Sequence, residues 1–124
     1  MTVYSNPASW GPPAWVFLHC ISLTYPKKPS KRERLHYQEF FESLGHVLPC
    51  PSCRQEYQKW IMSHPIEPHL MSRTKLTNWV IKLHNDVNFR NQKSTVASQT
   101  QALQMVVRNC RRYKKIGQDM NPKK

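Results

Sequence analysis

Glycine is scarce in this chain, which has only Gly11, Gly45 and Gly117 among 124 residues. Neither a G-x-G-x-x-G fingerprint nor a P-loop can be built from them, so any nucleotide has to be bound without a glycine-rich loop. The longest fully apolar segments, such as residues 14–18, are too short to cross a bilayer. No basic segment followed by an apolar one opens the chain. We therefore expect no membrane span and no signal or transit peptide, and we expect a cytoplasmic protein.

Acidic residues are few: 7 stand against 19 Lys and Arg, for a net charge of +12. Residues 27–34 hold five basic residues and one acidic, or +4, and residues 108–124 hold seven and one, or +6. Charge concentrated in a connection and a tail is typical of a solvated surface, so we do not expect nucleic acid as a partner. The four cysteines, without a secretory signal, instead favour metal or redox chemistry.

Prolines divide the chain into segments of helical length. They predict a first helix from Pro12 to about residue 25 and a third from Pro51, because proline suits a first helical turn. Ser30 and Glu33 form a capping-box pattern that predicts the start of a second helix, which Gly45 can close. A fourth is expected from residues 72–74 to about 93. The apolar face of a fifth consists of Leu103, Val106, Val107 and Cys110.

No segment alternates apolar and polar residues over strand length, and no Asn-Gly or Asp-Gly turn occurs. The predicted fold class is therefore all-α, a four-helix bundle with an additional short fifth helix. We expect residues 1–9 to form an N-terminal extension, 10–110 the bundle, and 111–124 a basic tail.

Cys50-Pro51-Ser52-Cys53 is the motif with the strongest chemistry. Two thiols separated by two residues can close a small disulfide. The start of a helix presents unpaired N–H groups and the positive end of the dipole, and both favour a thiolate. Metal binding and disulfide exchange each require that thiolate, so the motif leaves several interpretations open.

The main alternative is a basic zinc-binding or nucleic-acid-binding module that uses Cys50, Cys53, His64 and His69. Their spacing is close to that of a Cys2His2 finger. Two prolines in residues 64–69 argue against it, because they forbid the helix that would carry both histidines. A thioredoxin-like fold would need a strand before the motif, and residues 46–48 are too few for one. Two purely structural cysteines are the remaining alternative.

Two other groups of residues are suited to a flat heteroaromatic ligand. Trp15 and His19 stand four residues apart on the first helix, and His84 and Asn88 do so on the fourth. Asn85 and Trp79 lie near the second pair. These side chains offer rings for stacking and polar groups for hydrogen bonds, although each alone is more often a core residue. Lys93, with Arg90 near it, can neutralise a phosphate.

Three motifs in order resemble those of the Erv/ALR family of FAD-linked sulfhydryl oxidases. They are Trp10-Gly11-x3-Trp15-x2-Leu18-His19, Cys50-Pro51-Ser52-Cys53 and Trp79-x4-His84-Asn85-x-Val87-Asn88-x4-Lys93. The compact chain looks most like the members encoded by large DNA viruses, which would place it in the host cytoplasm or the virion.

The resemblance implies an enzyme that oxidises dithiols to disulfides with O2, producing hydrogen peroxide, with FAD held in the bundle. Cys53 would be the flavin-proximal cysteine, in charge-transfer contact with the flavin and adding to its ring, and Cys50 the distal one that substrate attacks. The residues that would bind FAD are Gly11, Trp15, His19, Tyr57, Trp79, His84, Asn85, Val87, Asn88 and Lys93. No metal is implied.

The chain departs from the family pattern in its other cysteines. Met62 and Ser98 stand where cellular members carry a further disulfide. Cys20 and Cys110 do not form a second CxxC, and each is expected to be a buried thiol. Either a dithiol protein substrate reaches Cys50 directly, or a small relay dithiol protein delivers the electrons. By resemblance we also expect a homodimer.

Overall fold

The computed structural model describes residues 2–91, 100, 101, 103–108 and 110. It contains four α-helices, α1 (Pro7–Leu23), α2 (Lys31–Val47), α3 (Pro51–Ser63) and α4 (Arg73–Arg90), and a short 3-10 helix over Glu67–His69. Residues 100, 101, 103–108 and 110 are also helical. No strand occurs in the part of the chain that is described, so the prediction of an all-α bundle followed by a further helix is confirmed. No helix among these residues is both long and apolar enough to cross a membrane.

The starts of three helices follow the predicted signals. Ser30 and Glu33 form a complete capping box at α2, in which the Ser30 side chain accepts from the Glu33 N–H and the Glu33 carboxylate accepts from the Ser30 N–H. α3 begins at Pro51, as expected. Ser72 caps α4 by accepting from the backbone N–H of Lys75 at 3.2 Å.

The first helix begins earlier than predicted, at Pro7 instead of Pro12. Asn6 caps it, because its side-chain oxygen accepts from the backbone N–H of Ala8 at 3.0 Å, and Pro7 occupies the first helical position. Pro12 and Pro13 therefore lie inside α1, where they have no N–H to donate to the carbonyls four residues back. The predicted start was wrong because a complete start signal lies upstream of this proline pair.

The end of α2 also differs from the prediction. The helix continues past Gly45 to Val47. Gly45 is buried where α2 crosses α3, and a Cβ built on it would lie 2.9 Å from Cγ of Gln58 and 3.2 Å from Cδ1 of Tyr57. The absence of a side chain therefore permits close packing of two helices at this position, and it does not terminate a helix.

Two helix pairs, α1 with α4 and α2 with α3, make up the bundle. The pairs meet in a core where the indole of Trp79 makes edge-on contacts with Phe41 of α2 at 5.4 Å and with Trp60 of α3 at 5.2 Å between ring centroids. Tyr25, just beyond α1, is also buried and donates its hydroxyl to the Leu70 carbonyl at 2.6 Å. These contacts pack α4 against α2 and α3 and join the end of α1 to the segment before α4.

Candidate functional site

Cys50 and Cys53 lie at the start of α3. Cys50 is the N-cap, and its sulfur accepts from the backbone N–H of Cys53 at 3.3 Å and lies 3.1 Å from the Ser52 hydroxyl oxygen. Burial raises the pKa of the Cys50 thiol, but hydrogen bonds from Cys53 and Ser52, through side chains and backbone, outweigh it and leave the pKa below its usual value. Cys50 is therefore the more acidic thiol of the pair.

The pKa of the Cys53 thiol shifts in the opposite direction. Burial, together with the hydrogen bond and the charge of Cys50, raises the pKa of the Cys53 thiol to about 11. Arg90 on α4 is the charged side chain that lowers it. When the reduced pair ionises, Cys50 therefore loses its proton before Cys53, which gives the two sulfurs different chemical tasks.

Both cysteines line one large cavity, with a volume of about 1250 Å³. α1 supplies one wall through residues such as Trp10 and Trp15, and α2 supplies Leu44 and Leu48. α4 and the helical residues beyond it close the far side. An apolar, aromatic-lined cavity of this size with a few polar groups is typical of a cofactor or small-molecule site.

Six of the ten residues expected to bind FAD line this cavity, namely Gly11, Trp15, Tyr57, His84, Val87 and Asn88. Of the other four, three do not line the cavity and one lies outside the described residues. His19 is buried one layer behind, hydrogen-bonded to His84, and Asn85 is half-buried outside the lining. Trp79 is in the core and donates its indole N–H to the His64 carbonyl at 3.0 Å. Lys93 lies outside the described residues.

Trp15, His19 and His84 form a compact aromatic group between α1 and α4. The Trp15 ring stacks on His84 at 4.0 Å with an angle of 7° between the planes. His84 Nδ1 lies 2.8 Å from His19 Nε2. The other ring nitrogen of His19, Nδ1, is buried and finds no hydrogen-bond partner among the described residues. A buried polar atom without a partner is costly, so this nitrogen reduces the stability of the aromatic group.

Several lining residues were not singled out in the sequence. Glu56 lies three residues after Cys53 on α3, so its helical spacing could have revealed it. Met105 and Arg108 come from the helical residues beyond α4, and Leu44 and Leu48 from the end of α2. Helical spacing marks Leu44 as part of the apolar face of α2, but no local pattern marks the other three, because only the packing of distant segments brings them to the cavity.

The zinc alternative finds no support in the geometry. Cys53 and His64 stand near opposite ends of α3, about 16 Å apart at 1.5 Å per residue. The His64 ring stacks on Trp60 at 4.3 Å and its Nδ1 lies 2.9 Å from the Trp60 carbonyl oxygen. Across the described part of the chain, no group of three or more His, Cys, Asp and Glu side chains is arranged to hold a metal ion.

The remaining cysteines differ from their expected burial. Cys110 is exposed and Cys20 is half-buried, so the expectation of two buried thiols was wrong. The expected apolar face of the fifth helix is largely exposed as well, since Leu103 and Val107 face solvent. Met105 packs against Ile81 of α4 instead, which turns that face outward. Met62, at one expected disulfide position, is 83% exposed, and Ser98 lies outside the described residues.

The fold and the site together define a class of helical protein in which a redox-type cysteine pair stands at the start of a helix. Both cysteines face a cavity large enough for a cofactor. A sequence profile described as the Erv1 / Alr family matches residues 12–109, and the chain belongs to this family. A probable FAD-linked sulfhydryl oxidase of Acanthamoeba polyphaga mimivirus is 38% identical over 68% of this chain. A mitochondrial FAD-linked sulfhydryl oxidase of Schizosaccharomyces pombe is 31% identical over 67% of it.

The fold agrees with solved structures of the family. The FAD-binding domain of Erv1 from Saccharomyces cerevisiae superimposes with a TM-score of 0.71 at 25% identity, covering 77% of this chain and 90% of that one. The alignments cover 59% of the mimivirus protein and 46% of the Schizosaccharomyces pombe protein, so the chain spans about half the length of these relatives.

Proposed function

We propose that this protein is an FAD-dependent sulfhydryl oxidase that converts dithiols to disulfides with O2 and releases hydrogen peroxide. The observation that carries the proposal is the opening of Cys50 and Cys53 into the same cavity as Trp15, His84 and Asn88. A thiol pair with unequal acidity is thereby placed beside rings and an amide suited to a flavin. The FAD-linked oxidases among the relatives support the same reading.

The cavity fits FAD in its chemistry. Trp15 and His84 supply ring faces for stacking, and Asn88 supplies an amide. Gly11 lies on the lining, and a Cβ built on it would meet no atom within 4 Å, so ring systems can approach the α1 backbone closely there. Arg108 puts a positive charge on the cavity wall, where a diphosphate would find a counter-charge. Arg90 also lines the wall, but its guanidinium is paired with Glu56. We expect His19 to contribute through His84, and Asn85, Val87, Tyr57 and Lys93 to complete the set.

Substrate oxidation begins at Cys50. A substrate thiolate attacks the Cys50 sulfur of the Cys50–Cys53 disulfide. A substrate–Cys50 disulfide forms, the Cys50–Cys53 bond breaks, and its electron pair leaves on Cys53. Cys50 is only 3% exposed, although its neighbours Pro49, Pro51 and Ser52 are exposed, so the attack requires a displacement of this turn that uncovers the sulfur.

The second substrate thiol completes the exchange. Its thiolate attacks the substrate sulfur of the mixed disulfide, the substrate disulfide forms, and Cys50 leaves as a thiolate. The hydrogen bonds that lower the pKa of Cys50 make it a good leaving group in this step. When bound, FAD supplies a two-electron acceptor that O2 can reoxidise to give hydrogen peroxide. Two protons and two electrons thus pass from substrate to O2.

The partners follow from this chemistry. We propose that the substrate is a dithiol protein or a small relay dithiol protein, because Cys20 and Cys110 do not form a second CxxC. We also propose, from the resemblance to the family, a homodimer and a location in the cytoplasm.

An absorption spectrum of the purified full chain tests the proposal first. We expect flavin absorption, O2 consumption with dithiothreitol, and hydrogen peroxide in a peroxidase-coupled assay. Cys53→Ser should abolish turnover while flavin remains bound. Cys110→Ser, which changes an exposed thiol outside the cavity lining, is the matched control and should retain full turnover. A folded protein without flavin that does not take up added FAD would contradict the proposal.

A further inference from the structure

An ion pair links α3 to α4 at the wall of the cavity. A guanidinium nitrogen of Arg90 lies 2.9 Å from a carboxylate oxygen of Glu56, with the two side chains 39% and 48% exposed. Glu56 stands three residues after Cys53, on the same side of α3. Cys53, Glu56 and Arg90 all line the cavity. The guanidinium is therefore held on the cavity wall by a residue that stands one helical turn after Cys53.

We propose that Arg90 stabilises the thiolate form of Cys53 and that Glu56 is a positioning residue which holds the Arg90 guanidinium in place. The part that Arg90 and Glu56 play during turnover depends on the oxidase function proposed above. The charge effect on Cys53 itself, however, is present in the protein whether or not that function is correct.

The other ionisable groups of the cavity wall do not supply this charge. α3 contributes Cys50, Glu56 and Tyr57, whose charged forms are all negative. α4 contributes His84 and Arg90, and the helical residues beyond it contribute Arg108. The lining residues of α1 and α2 carry no charge. Among these groups, Arg90 is the one that lowers the pKa of Cys53, against burial and against Cys50.

The positive charge of Arg90 acts in the first exchange step. When substrate attacks Cys50, the electron pair of the broken Cys50–Cys53 bond leaves on Cys53. A sulfur that forms a more stable thiolate leaves faster. Because burial alone makes Cys53 a poor leaving group, a fixed positive charge beside it increases the rate of this step.

Alkylation of Cys53 measures the proposed effect directly. In the full chain carrying Cys50→Ser, iodoacetamide labelling at pH 7.5 is followed by mass spectrometry of the Cys53 peptide. Arg90→Gln should slow labelling by about two- to fivefold, since the ion pair is partly screened by solvent. Arg90→Lys should restore most of the rate. Lys82→Gln removes one positive charge from α4 outside the cavity lining and should leave the rate unchanged.

Salt distinguishes a charge effect from a structural one. In 1 M NaCl the difference between Arg90→Gln and its parent should shrink to less than about 1.5-fold, because ions screen partly exposed charges. A difference that persists at high salt, an unchanged rate in Arg90→Gln, or equal slowing by Lys82→Gln would each overturn the role of Arg90.

The role of Glu56 is tested by a double-mutant cycle. If Glu56 positions Arg90, Arg90→Gln should slow labelling by less on a Glu56→Gln background than on the parent. A larger effect on that background would mean that Glu56 draws the guanidinium away from Cys53, and it would overturn the positioning role. Labelling requires neither FAD nor O2, so these results stand even if oxidase activity is absent.

Discussion

His19 of α1 and His84 of α4 share a buried hydrogen bond, with 2.8 Å between Nε2 of the first and Nδ1 of the second. One of the two nitrogens must carry the proton and the other must accept it. Burial lowers the pKa of His19 to about 4, so its ring is neutral at neutral pH. The pair joins two helices that line the cavity, so its protonation state affects the stability of the site as well as of the bundle.

The first prediction is that acid weakens the bundle through His19. Its pKa is about 4 in the folded protein and 6.5 in the unfolded chain, so the unfolded state binds the proton first as the pH falls. The contribution of neutral His19 to the unfolding free energy is complete above pH 6.5. It is lost as the pH falls towards about 4, and the loss reaches up to about 3 kcal/mol. Urea unfolding at pH 7 and at pH 4.5 measures the loss.

Other groups titrate over the same range, so the comparison is made with His19→Gln, which keeps a hydrogen-bonding side chain without an ionisable ring. The loss of unfolding free energy between the two pH values should be smaller in this variant than in the parent. An equal loss in both proteins would show that acid acts through other groups.

The second prediction separates the redox role of Cys50 from its role as the N-cap of α3. Cys50→Ser keeps a side-chain acceptor for the Cys53 N–H, whereas Cys50→Ala removes it. Both variants should lack oxidase activity. The unfolding free energy of the alanine variant should also be about 0.5–1 kcal/mol lower than that of the serine variant. Equal stability of the two variants in urea would contradict the capping role.

Much of the fold was predictable because the signals that start its helices are local. Ser30 with Glu33, and Pro51, act within one helical turn, and both predictions are confirmed. The start of α1 was predictable in principle, since Asn6 followed by Pro7 is a cap and a first-turn proline. Pro12 and Pro13 carry a similar first-turn signal but lie inside the helix.

Predictions that depend on distant contacts were less successful. The apolar pattern of the fifth helix favours Leu103 and Val107, yet Met105 makes the contact with α4. The cysteine motif and most of the stacking residues could be found from spacing. The cavity contributions of Leu48 and Arg108 could not, because they depend on how separate helices pack.

The third prediction concerns Gly45, where α2 packs closely against α3. An alanine in a helix normally stabilises it by about 1 kcal/mol relative to glycine. Here the added methyl group would press on the buried Tyr57 ring, which is held by a hydrogen bond to the Phe41 carbonyl. We expect Gly45→Ala to lower the unfolding free energy by about 1 kcal/mol net, because overpacking costs more than the helix propensity returns. A higher melting temperature for this variant would contradict the contact.

The fourth prediction uses Gly11, a helical glycine in the opposite situation. Its added Cβ would meet no atom within 4 Å, and the residue lines the cavity. Gly11→Ala should therefore raise the stability of the flavin-free protein by about 0.5–1 kcal/mol through helix propensity. The same methyl group would occupy space that a ring system needs, so FAD affinity, measured by fluorescence titration of the flavin-free chain, should fall. Gly45→Ala provides the comparison, because it should lower stability. If Gly11→Ala raises stability and leaves FAD affinity unchanged, FAD does not approach α1 at this residue.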